Sequence, residues 1–126
     1  MKILSCMLAS LALIAASAPG AAQEPPGPGW RPARCVVANG QNEDWPGTWR
    51  GPCYFFSERG GSFSIRPRRG AFPDGTDQIG VTLTGRGQAE VRVITQHGMN
   101  SRWGEARRSG RDPACWVGDD FSVCAY

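Results

Sequence analysis

Val81-Thr82-Leu83-Thr84-Gly85-Arg86-Gly87-Gln88-Ala89-Glu90-Val91-Arg92-Val93 holds the clearest hairpin signal in the chain. Val81 and Leu83 alternate with Thr82 and Thr84, Gly85-Arg86-Gly87 supplies a turn, and Ala89, Val91 and Val93 alternate on the return. A period of two sends one set of side chains to a buried face and the other to water, so the stretch reads as a β-hairpin.

The same grammar extends outward. On the N-terminal side, Gly60-Gly61 makes a turn before Ser62-Phe63-Ser64-Ile65-Arg66, where Phe63 and Ile65 share a face. Residues 70–78 are a loop of Gly, Pro and Asp, Cys53 to Phe56 is a strand, and Cys35 to Ala38 is a short strand closed by a polar turn at 39–42. On the C-terminal side, 94–96 extends the return strand. Residues 99–109 read as extended or irregular, with Gly104 against a long helix. The chain ends on Cys115-Trp116-Val117, a Gly118-Asp119-Asp120 turn and Phe121 to Tyr126. No segment has the spacing of an amphipathic helix. The expected fold is all-β: six to eight short antiparallel strands in a small disulfide-stapled barrel or sandwich, its edges partly protected by Arg and Pro.

Residues 1–22 read as a signal peptide. Lys2 gives a positive start, the run from Ile3 to Ala16 is interrupted only by Ser5, Cys6 and Ser10, and Gly20-Ala21-Ala22 offers small residues for cleavage. The run is shorter than the ~20 apolar residues of a spanning helix, so no stable membrane insertion is expected after cleavage. Residues 23–34 carry four prolines and read as a Pro-rich tail, leaving 35–126 as the β-domain.

Without the leader, four cysteines remain: Cys35, Cys53, Cys115 and Cys124. An even number in a short exported chain is a disulfide framework, though four cysteines allow three pairings. Folding the terminus about Asp119-Asp120 sets Cys115 opposite Cys124, and a similar local argument pairs Cys35 with Cys53. The crossed pairing, Cys35 with Cys124 and Cys53 with Cys115, stays open from spacing alone.

Lys2 is the one lysine, so the exported part has 13 arginines against 11 carboxylates, a formal charge of only +2. A mild excess spread among acids describes a solvated surface and argues against a nucleic-acid partner. Arg107-Arg108 and Arg66 to Arg69 form local basic runs that suit an anionic envelope polymer.

Catalytic signals are weak. His97 is the one histidine and sits in a turn; paired cysteines leave no thiol nucleophile, and no serine lies in a nucleophile-elbow pattern. Asp74-Gly75-Thr76-Asp77 resembles a calcium loop only in outline and lacks the distal bidentate Glu. Neither an enzyme, a metal site nor a cofactor is expected. The aromatics are richer: with Leu83 the domain's one leucine and Ile65, Ile79 and Ile94 its isoleucines, tryptophan must supply much of the core, Trp116 above all. Trp45 and Trp49, around Pro46-Gly47, are the expected exposed pair.

Two motifs, Gly51-Pro52-Cys53-Tyr54-Phe55 leading to Gly61-Ser62-Phe63-Ser64-Ile65, and Cys115-Trp116-Val117 to Val123-Cys124-Ala125, resemble a group of small exported bacterial proteins of unsettled activity. The resemblance implies a periplasmic β-domain and transfers no catalytic residue. A looser likeness to periplasmic lysozyme inhibitors is confined to size, export and disulfides.

The expected function is therefore a periplasmic or secreted, non-catalytic binding or inhibitor-like module whose partner is an envelope protein or a cell-wall polymer. Its expected contact residues are Trp45, Trp49, Trp103, Arg102, Arg107 and Arg108, in the 41–50 loop and the 97–108 segment. The alternatives are a small envelope enzyme, which needs His97 or the Glu90 and Glu105 carboxylates in a cleft, and a structural envelope factor.

Overall fold

A computed structural model describes residues 12–13 and 23–126 of the chain. Apart from those two positions, the leader at 1–22 lies outside the described residues. Eight antiparallel strands run β1 (Trp30–Asn39), β2 (Thr48–Ser57), β3 (Phe63–Pro67), β4 (Thr76–Gly85), β5 (Gln88–Thr95), β6 (Asn100–Arg108), β7 (Cys115–Val117) and β8 (Phe121–Ala125). Each pairs with the next and β8 pairs with β1, closing an up-and-down barrel. No helix among the described residues is long and apolar enough to cross a membrane.

The hairpin that decided the class is β4–β5. Val81 lies opposite Val91 and Leu83 opposite Ala89, and Val81, Ala89, Val91 and Val93 are buried. Period two continues round the wall: Cys35 and Val37, Cys53, Phe63 and Ile65, Ile79 and Val81, Ala106, and Phe121 and Val123 all enter one core cluster. Each fully buried Val or Ile contributes roughly 1.5–3 kcal/mol, which is how so leucine-poor a chain holds a core.

The boundary expected between 34 and 35 falls inside β1. Trp30–Arg34, assigned above to a Pro-rich tail, pair with Pro52–Phe56 of β2. Pro32 is exposed on the strand, and Trp30 rests 5.3 Å from Phe56. The lead-in is tied down further: the Gln23 N–H donates to the Arg68 carbonyl (2.6 Å), and the Tyr54 hydroxyl donates to the Gln23 carbonyl (2.5 Å). Proline discourages a central ladder position, but Phe55 and Phe56 provide enough apolar surface to hold this stretch against the wall. The 99–109 stretch resolves as extended, forming β6.

Both disulfides take the local pairing, Cys35–Cys53 and Cys115–Cys124. The first is diagonal, because Cys35 lies opposite Gly51 and Cys53 opposite Ala33. It sits inside the barrel, 0–1 % exposed. The second joins directly opposed residues. It faces outward, since Cys124 is opposite Val36, one step out of phase with the inward pair Val37 and Val123. Closing such short loops contributes about 3 kcal/mol each. Two disulfides belong to an oxidising, non-cytoplasmic environment.

The barrel's two ends differ. At the end where β1 finishes, here called apical, the 40–47, 68–75, 96–99 and 118–120 connections meet. Trp45 stacks on Phe72 at 6.0 Å, Trp103 meets Trp45 edge-on at 5.4 Å, Trp49 meets Phe72 edge-on at 4.8 Å, and Trp103 lies 5.7 Å from Phe121. This aromatic set plugs the end. The expectation that Trp45 is exposed is thus corrected: it is 5 % exposed, its 41–47 loop folding inward over Phe72. Trp49 is half-buried in the same plug, and Trp116 is 2 % exposed. The opposite, basal end carries the 58–62, 86–87 and 109–114 connections.

Candidate functional site

β6 and β7 close the barrel through two residue pairs only, Arg107 with Val117 and Arg108 with Trp116. On its other side β6 is paired with β5 along nearly its whole length. The reason is the shortness of β7: Gly118 turns the chain away after three strand residues, and Asp112 and Ser109 hold the preceding loop by accepting from the Ala114 and Arg111 amides. Residues 100–106 therefore have a ladder partner on one edge and an open seam on the other. The Ser109 N–H donates to the Cys115 carbonyl across that seam (2.9 Å). Antiparallel parity puts the backbone groups of Arg107 and Glu105 on the same side, and Glu105 has no strand beyond it.

A β-bulge shapes the seam. Val91 lies opposite Gly104 while Arg92 lies opposite Arg102, so Trp103 is an extra residue. The bulge turns the Trp103 ring inward onto Trp45 and Phe121 while leaving it half-exposed. Gly104 accommodates this with φ 140°, and its open Cα faces the Phe121 ring. Beside the strand runs a groove of about 510 Å³. Its walls include Gln41, Arg102, Trp103, Glu105, Arg107 and Asp119, and Phe121 forms its base.

Three of the six expected contact residues, Arg102, Trp103 and Arg107, come together in this groove. Arg107 is exposed and has no carboxylate at ion-pair distance among the described residues. Arg102 shares Glu90 with Arg92, at 3.4 and 2.7 Å. Arg108 lies elsewhere, in a basal cavity with its guanidinium 4.8 Å above the Trp116 ring. Trp45 and Trp49 belong to the apical plug, where Trp45 supports Trp103 from behind. Gln41 comes from the expected 41–50 loop, whereas Val117 and Gly118 are groove residues that the sequence reading missed; the signal for them was the brevity of the Cys115-Trp116-Val117 run, too short to cover β6.

His97 is exposed in the β5–β6 turn. Glu90 and Glu105 face each other across β5 and β6 on the outer wall. Glu90 is engaged by two arginines and Glu105 is exposed, so this pair is not sequestered from water. Asp74 works as a turn residue: its carboxylate accepts from the Thr76 amide and hydroxyl (3.1 and 2.6 Å) and from the Asn42 side chain (2.6 Å). Among the described residues, no three His, Cys, Asp or Glu side chains gather as a metal set.

Compared with known proteins, the chain matches no family model, no curated protein and no solved structure.

Proposed function

We propose that the chain is an exported, non-catalytic binding module of the cell envelope, and that it takes an extended segment of a partner protein along the open edge of β6. The observation that carries this reading is the open outer edge of residues 100–106, which contain half-exposed Trp103 and lead into exposed Arg107. An open edge presents main-chain donors and acceptors that a further strand satisfies, while alternate side chains reach the groove. Trp103 offers a rigid aromatic contact, and Arg107 selects an acidic residue on the incoming segment. The leader at 1–22, the two disulfides and the resemblance to small exported proteins support a periplasmic or secreted location.

Two measurements test the reading. N-terminal sequencing of the chain recovered outside the cytoplasm should find it beginning near Gln23; recovery of only the full-length chain inside the cytoplasm rejects export. For the seam, linear ten-residue peptides selected on the oxidised exported protein should be enriched in Asp or Glu. Their binding should slow hydrogen exchange of the Glu105 amide and weaken about tenfold in Arg107→Glu. Selected peptides that leave Glu105 exchange unchanged would place the binding face elsewhere.

A further inference from the structure

The basal mouth has an electrostatic problem that the seam does not address. Arg86 and Arg108 wall a cavity of about 720 Å³ together with Gly60, Leu83, Thr84, Gly85 and Gly87. Arg59 adjoins Gly60 in the same connection, and Arg31 stands at the same end with its guanidinium 4.9 Å above the Phe55 ring. All four arginines are exposed. The ion pairs among the described residues involve Arg66, Arg92 and Arg102 instead. The carboxylates of the basal connections make no ion pair with these arginines: Glu58 accepts from the Ser64 hydroxyl (3.1 Å), and Asp112 accepts from the Tyr126 hydroxyl and the Ala114 amide.

Four exposed guanidinium groups at one end, with no carboxylate at ion-pair distance among the described residues, repel one another, and an anion relieves that repulsion. The mouth is also prepared to hold one. The Arg108 N–H donates to the Gly87 carbonyl (3.0 Å), fixing the strand end, and the Arg108 guanidinium lies against a buried Trp116 ring that limits its freedom. Glycines 60, 85 and 87 keep the cavity wall low, so a ligand can approach the backbone. Thr84 adds a hydroxyl. Guanidinium forks match oxygens arranged as in phosphate and bind them in pairs.

We infer that the basal mouth, which meets the seam groove at Thr84, is a second binding site, and that its ligand is a phosphate group carried by a larger envelope molecule. Arg86 and Arg108 flank the phosphate, while Arg31 and Arg59 supply long-range attraction.

The probes are inorganic tripolyphosphate, followed by calorimetry, and phosphatidylcholine vesicles containing phosphatidylglycerol, followed by co-sedimentation. Both use the oxidised exported protein at low ionic strength. Binding is expected to fall as salt rises, to drop about tenfold in Arg86→Gln and again in Arg108→Gln, and to be unchanged in Arg69→Gln, an exposed position in the apical 68–75 connection. Arg86 lies in an exposed turn and makes no ion pair among the described residues, so Arg86→Gln keeps the test valid if Arg108→Gln perturbs folding. Binding to vesicles as well as tripolyphosphate assigns a lipid headgroup, and binding to tripolyphosphate alone assigns a soluble phosphate polymer. Absence of binding to both probes, or binding indifferent to Arg86→Gln and Arg108→Gln alike, overturns the proposal.

Discussion

The apical end of the barrel is closed by aromatic rings and the basal end is rimmed by arginines, and the same short strands support both. At the apex, the connections carry Glu43, Asp44, Asp74, Asp119 and Asp120 around a plug of Trp45, Trp49, Phe72, Trp103 and Phe121. At the base, Arg31, Arg59, Arg86 and Arg108 surround an open mouth. Stability and recognition therefore reside in different parts of the barrel. An eight-stranded barrel of this size fills with side chains: five rings interlock at the apex, while Phe63, stacked on Phe55, and Trp116 fill it toward the base beneath the arginines. Stability should be lost by altering the apical plug, while substitutions of the exposed basal arginines alter binding and leave the melting temperature nearly unchanged.

The sharpest break of that contrast is Trp45→Ala. The ring contacts both Phe72 and Trp103 and is 5 % exposed. Its removal should cost about 3–5 kcal/mol in denaturant unfolding and should also weaken the seam, because Trp103 loses its backing. Trp45→Phe should recover most of the stability. The indole N–H is buried without a partner, so its loss removes an unsatisfied donor along with the smaller volume. A Trp45→Ala variant as stable as the parent would show that the plug is ornamental.

Gly118→Ala is expected to cost less, about 1–3 kcal/mol from overpacking. A Cβ there would overlap the Phe121 ring, which is buried at the foot of the seam and touches Trp103. The ring must shift or the β7–β8 turn must open. If thermal melts show no loss, Phe121 has room that the packing does not suggest.

The legible part of this molecule was its period-two alternation. The hairpin at 81–93, the Phe63–Ile65 face and the opposition of Cys115 and Cys124 could all be read because neighbours in sequence are neighbours in the ladder. The closure of β8 on β1 could not be read, since it joins Cys35 to Ala125 across nearly the whole domain. Trp45 misled for a related reason. Its polar setting, Asn42-Glu43-Asp44 and Pro46-Gly47, describes an exposed loop, but Phe72, brought from another connection, offers it a buried face. Of the site, Arg102, Trp103 and Arg107 were legible as residue types. The groove itself was not, because it arises from what β7 fails to cover.

The smallest expected effect concerns the base and the carboxylate it withholds from its arginines. The Tyr126 hydroxyl donates to Asp112, and this raises the phenol above its ordinary value of 10.0; desolvation and the Asp112 charge act in the same direction, with Arg50 opposing. The residue is 59 % exposed, so the hydrogen bond is the main cause. The sign follows from linkage: the folded chain holds this proton more tightly than the unfolded one. The contribution is therefore fully present below the unfolded value and is lost as pH rises through the folded one. Chemical denaturation between about pH 8 and pH 11 should show the parent losing stability relative to Tyr126→Phe only at the alkaline end. Parallel curves would mean the bond contributes nothing in solution. Tyr126→Phe also removes the donor on Asp112 Oδ2 while the Ala114 amide keeps Oδ1, leaving the carboxylate less screened at the basal end, so tripolyphosphate binding should weaken slightly below about pH 9, before the phenol ionises. A variant that binds phosphate more tightly would show that Asp112 does not compete for those arginines.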